Sequence, residues 1–264
     1  MNWTSGLAAL GGAVLATIVG LILGRTKHSQ GGKSNDLALG LTGGALLCAF
    51  ALLTGYSIAE ASQQIEVARR HTYEESKALG QVYWAAGTLP SAAAASSRGA
   101  LEEYVQLVIN QEWQTMAAGQ ASADAWSALD RARAGASSVT PADSGQAQAR
   151  ATTLSYLDDL YSKRSQRMAD IHSGLPPLVL GGMVAAAILI VLVPMLIGLT
   201  AGSRNMILVA FFGAAAAFAV ALALQLDGPF EGAIKVYPTA YQQAQQRFEQ
   251  IQRQEAVTPT SADH

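Results

Sequence analysis

Apolar residues in this chain fall into four long runs, grouped as two pairs on either side of an extended polar region. The runs cover about 6–24 and 37–58, then about 178–200 and 206–226. Each comes close to the roughly 20 residues that a helix needs to cross a hydrocarbon core about 30 Å thick. No Lys, Arg, Asp or Glu interrupts any of them. A buried helix of a soluble protein accounts for one such run, not for four. The pattern predicts an all-α integral membrane protein with four transmembrane helices in two hairpins. Its parts are a first hairpin at 1–58, a helical extramembrane domain at 59–175, a second hairpin at 176–226, and a turn followed by a C-terminal helix at 227–264.

Helix-favouring residues continue past Ile58 with neither Pro nor Gly before Gly80, so one helix is expected to leave the membrane and project beyond it. Leu89-Pro90-Ser91 breaks it, because the residue before a proline is driven from the helical region. The next helix is expected at about Ser97–Met116, where Leu101, Tyr104, Val105, Val108, Ile109 and Trp113 recur at spacings of three and four and make one buried stripe. Gly119 ends it. Ser122 caps a shorter helix through Ala132, Gly135 to Gly145 reads as a loop, and a last helix runs from about Gln146 to Ile171 with Leu154, Leu157, Leu160, Tyr161 and Met168. In the tail, Tyr241, Phe248 and Ile251 share a helical face.

Composition supports the membrane assignment. Half of the residues are hydrophobic and 14% are charged, against roughly 25% charged in a typical soluble domain. A net charge of −2 with dispersed basic residues argues against nucleic acid as a partner. The only cysteine, Cys48, falls inside the second run and reads as a small packing residue. The N-terminal run carries no preceding Lys or Arg and reads as a retained first span rather than a signal peptide. Basic residues flanking the spans favour a cytoplasmic helical domain and C-terminus, in a plasma (inner) membrane.

Catalytic patterns are missing from the sequence. His28, His71, His172 and His264 lie far apart, none at metal-ligand spacing, and no nucleophile elbow, phosphate loop or dinucleotide fingerprint is present. The expectation is a protein that is not an enzyme and carries no metal or cofactor. Small residues four apart, at Gly20 and Gly24, Gly40 and Gly44, and Gly213 and Ala217, let helices approach closely in lipid, either within one chain or between protomers.

Two segments stand out from this packing pattern. One runs from Glu102 to Gly119 and contains Tyr104, Glu112 and Trp113. The other follows the last apolar run: Leu226-Asp227-Gly228-Pro229-Phe230-Glu231-Gly232. Both resemble hallmarks of the bestrophin-like membrane protein family, a tyrosine followed by Glu-Trp before a glycine and an Asp-x-Pro-Phe-x-Gly turn after the last span. The order of hairpin, helical middle and hairpin is the family's too, as is the basic helix with Lys163, Arg164 and Arg167 leading to Leu175-Pro176. The family often places a tryptophan after that Leu-Pro, where this chain has Pro177-Leu178.

The resemblance implies a bestrophin-like channel. Bestrophins proper are homopentameric anion channels whose pore is lined by the second helix, so the implied partners are the lipid bilayer, further copies of the chain and small inorganic ions. Leu46, Phe50 and Leu53 fall on one face of the second run and are the pore-lining candidates, able to gate by dewetting or else simply facing lipid or a neighbour. Asp227 either caps its turn or accepts from a basic neighbour, and Glu112 and Trp113 are either core anchors or a binding pair. Only Glu231 follows Phe230, so the acidic calcium-binding run of bestrophins has no counterpart. The alternative is a non-conducting scaffold or signalling protein that binds a partner through its helical domain. A transporter or intramembrane enzyme would need ionisable groups within the spans.

Overall fold

The computed structural model describes residues 33–196, 203–232 and 234–257, together with Ile18. The span expected at 6–24, apart from Ile18, and the loop after it lie outside the described residues, as does the end of the third span beyond 196. Every described element is helical, and there is no strand among the described residues. The chain divides into two units, Met1–Gln63 with Gly174–Ile234 and Gln64–Ser173 with Lys235–His264.

The first unit contains the N-terminal part of α1 (Lys33–Ala86), together with α6 (Pro177–Leu196) and α7 (Ser203–Leu226). Two described helices, α1 over Gly43–Ala86 and α7 over Val209–Leu226, are long and apolar enough to cross a membrane, and α6 adds the shorter apolar run Pro177–Val193. α6 packs on α7, and the buried centre of the unit is Leu175, Met183 and Ala223, with Phe50, Leu180 and Val220 against it.

The second unit takes the C-terminal part of α1 and surrounds it with α2 (Ser91–Leu107), a π-helical turn (Val108–Glu112), α3 (Trp113–Met116), α4 (Ala123–Ser137), α5 (Ser144–Asp170) and α8 (Thr239–Val257). The 54 residues of α1 contain no proline, and Gly80 sits inside the helix without breaking it. Leu79, Val82, Tyr83, Leu101, Tyr104, Val105, Leu129, Leu157 and Leu160 form one core, joined by Tyr241, Phe248 and Ile251 of α8.

Three boundaries differ from the sequence expectation, each for a local reason. α2 begins at Ser91 rather than Ser97, because Pro90 occupies the cap position at φ −52° and the alanines that follow are the strongest helix formers. The expected single helix through Met116 is interrupted by the π turn. α4 continues to Ser137, through Gly135. There the glycine serves close packing: a Cβ on Gly135 would stand 2.7 Å from Ser97 Oγ and 3.2 Å from the Ser97 backbone nitrogen on α2. Ala125, Ala128, Ala132 and Ala136 line the same approach, all buried.

Other local signals match the sequence. The Ser122 hydroxyl accepts from Ala125 N at 3.3 Å as the α4 cap. Gly119, at φ 75°, closes α3 with Gly119 N donating to Met116 O and Gln120 N to Thr115 O, both at 3.0 Å, the paired bonds of a Schellman ending. Replacing Gly135 by Ala should destabilise the helical unit despite the gain of about 1 kcal/mol in helix propensity, since overpacking at a backbone contact costs about 1–3 kcal/mol. Thermal unfolding of Gly135→Ala beside wild type measures the difference, and Ser97→Gly should partly restore the loss.

Candidate functional site

The sequence-marked residues Tyr104 and Glu112 meet at the centre of the second unit, and they meet two arginines there. Arg164 and Arg167 lie on α5 one turn apart, continuing the buried stripe of Leu157 and Leu160, and neither is exposed to solvent. Arg164 holds Glu112 with both terminal nitrogens, NH1 to Oε1 at 3.0 Å and NH2 to Oε2 at 2.5 Å. Arg167 bridges two carboxylates: Nε donates to Glu75 Oε2 at 2.7 Å and NH2 to Glu112 Oε1 at 2.7 Å. The Tyr104 hydroxyl donates to Glu75 and accepts from Arg164 NH1 at 2.7 Å. Ser122 N donates to Glu112 Oε2 at 3.1 Å, so the loop capped by Gly119 is tied to the same carboxylate.

Aromatic faces cover the guanidinium groups. Arg164 lies 4.5 Å from the Trp126 ring centre and 5.1 Å from Tyr104, and Arg167 lies 5.3 Å from Tyr241 and 5.8 Å from Trp113. Such stacking suits arginine, whose delocalised charge is weakly hydrated. Trp113 is half-buried, and its indole nitrogen donates to Val236 O at 3.2 Å, which fixes the segment leading into α8.

Two positive charges balance two negative ones, so the buried cluster is neutral. Burial alone would raise the Glu112 carboxyl, but Arg167 and Arg164 outweigh it and hold the group below the usual carboxylate range. Burial works against charge on Arg167 as well, and Glu75 and Glu112 keep its pKa well above the ordinary value. Tyr104 is pushed up by burial and by Glu75, so it stays a neutral donor. Arg164 Nε is buried without an acceptor, but both carboxylates and the other guanidinium nitrogens are engaged with one another, with Tyr104, with Ser122 O or with Met116 Sδ, so these groups are built to join elements rather than to take up a ligand.

The second marked segment belongs to the first unit and is a turn. Asp227 Oδ1 accepts from Leu175 N at 2.7 Å, and Gly174 lets it approach, since a Cβ there would stand 2.7 Å from the same oxygen. This bond ties the turn to the segment that enters α6. Pro229 and Phe230 are buried, and Gly232, at φ 74°, places its Cα where a Cβ would overlap the carbonyl oxygen of Gln225. Leu46, Phe50 and Leu53 are half-buried on one face of α1, with Phe50 against the cluster of Leu175, Met183 and Ala223.

In the sequence Glu75 reads only as one of the helix-favouring residues past Ile58, and Arg164 and Arg167 only as basic residues flanking a span and leading to the family's Leu-Pro. The available signal was their register. Positions 157, 160, 164 and 167 are one stripe, and a charge that continues a core stripe needs an opposite charge facing it.

Glu112→Gln should remove about 3–5 kcal/mol of stability, because it leaves a buried arginine charge without its partner. In a unit of this size that lowers Tm by at least about 6 °C. Since the Glu112 pKa is depressed on folding, its contribution is fully present above the ordinary carboxylate value of 4.5 and is lost as pH falls through the lower folded value. Unfolding followed as a function of pH should therefore show a weaker acid dependence in Glu112→Gln than in wild type.

A family model described as Bestrophin-like domain matches residues 7–241. Among solved structures, the chain is similar to a bacterial bestrophin homologue from Klebsiella pneumoniae, with TM-score 0.63, 12% identity, and coverage of 91% of this chain and 97% of that one. A point-mutant form of the same homologue gives TM-score 0.62 at 11% identity, covering 93% and 96%. At such identities the likeness is one of fold. No curated protein matches the sequence. The family match extends over most of the chain and includes the buried Tyr104–Glu112 segment, the Asp227 turn and the start of α8, and on that ground the chain belongs to the Bestrophin-like domain family.

Proposed function

We propose that this chain is one subunit of an oligomeric, passive ion channel in a lipid bilayer, anion-selective, with four spans in two hairpins and a pore lined by the helix that contains Leu46, Phe50 and Leu53. The observation that carries this reading is the family match over residues 7–241 together with a bestrophin-homologue fold across 91% of the chain. The domain plan is that of the sequence: hairpins at 1–58 and 176–226, a helical domain at 59–175 and a C-terminal helix, the last two on the cytoplasmic side. Leu46, Phe50 and Leu53 form the narrow apolar ring, the Asp227, Pro229, Phe230 and Gly232 turn fixes the exit of α7, and Tyr104, Glu112 and Trp113 brace the helical domain.

Physical features support association. In the most apolar window of α1 only 11% of residues are buried within one chain, so this surface is left for lipid or for other copies. In the helical unit, two grooves flank α8. One, of about 450 Å³, carries Lys77 and Arg247 with Trp84 and Tyr156; the other, of about 330 Å³, carries Glu102, Glu103 and Glu249. Opposite charge on two faces of one subunit suits head-to-tail contacts that close into a ring.

The same basic, aromatic groove also favours a second reading, a non-conducting scaffold whose helical domain binds an acidic partner. Planar-bilayer recording separates the two. Purified oligomer should pass a current whose reversal potential follows the chloride gradient, and Phe50→Ala should change its conductance or gating. Silence across salts and voltages with the oligomer intact selects the scaffold, and a monomer removes the channel.

A further inference from the structure

A recess of about 120 Å³ in the helical unit, separate from the buried arginine network and from the α8 grooves, is lined by Arg69, Tyr73, Lys235, Val236, Tyr237 and Thr239. We propose that it binds a phosphate group, presented either by an anionic phospholipid headgroup or by free phosphate.

The lining supplies what such a group needs and little else. Two cations converge, and no carboxylate lines the recess. Arg69 offers a planar fork that matches phosphate oxygens, and Lys235 offers a mobile point charge. Two phenol hydroxyls add neutral donors, the Thr239 hydroxyl donates to Tyr237 O at 3.4 Å, and α8 begins at Thr239, with the positive end of its dipole on the same side. Lys235 makes no ion pair among the described residues and rests 5.9 Å over the Tyr237 ring. Among the described residues Arg69 is held only by an exposed bond to Glu66 at 3.1 Å, a pair of the kind worth little in water and readily exchanged for a ligand. The backbone that carries Lys235 is nonetheless fixed, through Trp113 to Val236 O.

Size and place narrow the ligand. The recess is well below the roughly 300–1,000 Å³ of sites for drug-sized molecules, so it suits a single charged group with the rest of any molecule outside. Lys235 opens the second unit where the chain arrives from the apolar first unit, and Arg69 lies just beyond Gln64, where α1 enters it. Arg69 lies about 16 Å beyond Ile58 along α1 at about 1.5 Å per residue, in the juxtamembrane zone where basic residues attract anionic lipid rather than in the aromatic belt itself. The lipid source rests on the membrane reading above, whereas the free-phosphate source does not.

The test uses full-length protein purified in detergent. Saturable binding is followed by native mass spectrometry with dioleoylphosphatidylglycerol, with dioleoylphosphatidylcholine as the zwitterionic control. Thermal shift is followed with inorganic phosphate against chloride at constant ionic strength. The expected result is saturable binding that weakens about tenfold for each of Arg69→Gln and Lys235→Gln, is restored by Lys235→Arg, and is unchanged by Arg131→Gln, an exposed arginine paired with Glu103 that does not line the recess. Preference for phosphatidylglycerol identifies the lipid source; a phosphate effect without lipid preference identifies the free anion. The proposal is overturned if neither probe saturates, or if the doubly substituted protein, with its unliganded Tm within about 2 °C of wild type, binds as wild type does. Conductance plays no part in the readout, so a silent bilayer leaves this result standing.

Discussion

The helical unit depends on one constraint: two arginine charges placed where water does not reach. Moving an ion of this size out of water carries an effective penalty of several kcal/mol even after relaxation. Arg164 and Arg167 can therefore sit at full burial only while Glu112 and Glu75 face them, with Arg167 bridging the two carboxylates and Tyr104 joining Glu75 to Arg164. The contributors come from four elements: Glu75 from α1, Tyr104 from α2, Glu112 from the π turn and both arginines from α5. Trp126 of α4 and Tyr241 of α8 stack over the guanidinium groups. An apolar core of leucines would tolerate shifts of register between helices, but this cluster does not, because any slip leaves a charge unmatched.

That requirement gives the alanine-rich packing around it a purpose. α2 and α4 approach closely through Ala100, Ala128, Ala132 and Gly135, where thin side chains let the helices set the distance. At the outer edge, Arg98 grips Glu255 with bonds of 2.6 and 2.7 Å and donates to Tyr83 O at 3.0 Å, and Tyr83 stacks on Phe248 at 4.0 Å. This clamp holds α8 against α1 and α2 in partly exposed surroundings, where each bond is worth less than its buried counterpart. Specificity is thus concentrated at the centre and reinforced at the rim.

Much of this was legible in the sequence, and the failures have physical reasons. The Ser122 cap, the Gly119 ending and the stripe through Leu101, Tyr104 and Val108 are local signals, fixed by a few neighbouring residues. Gly135 reads locally as a helix breaker, whereas its value here lies in a contact with Ser97 on a helix distant in sequence. Arg164 and Arg167 were obscured because charges default to the surface; Glu75 and Glu112, 92 and 52 positions away from them, decide otherwise. The Asp227 turn was visible as a motif, yet its acceptor role needed Leu175, 52 residues earlier. Phe50 shows the same limit: its face of α1 could be read from spacing, its neighbours Met183 and Ala223 could not.

Whether a cation in this fold is structural or available follows from the carboxylates that surround it. Arg164 and Arg167 share Glu112, Arg167 also pairs with Glu75, and four aromatic rings shield them, so an incoming anion would have to displace a partner of equal charge in a site closed to water. Lys163, one position from Arg164, turns outward to Glu74 at 2.8 Å and is already satisfied. Lys235 differs from all three, with an aromatic face beneath it and an open recess beside it. A protein of net charge −2 attracts anions only where such local imbalance exists. The same criterion applies along the apolar helices: where they hold no charge, as in α7 beyond Arg204 and in α1 from Leu37 to Ile58, any preference between ions has to come from the fields of charges and backbone dipoles at the ends of those helices.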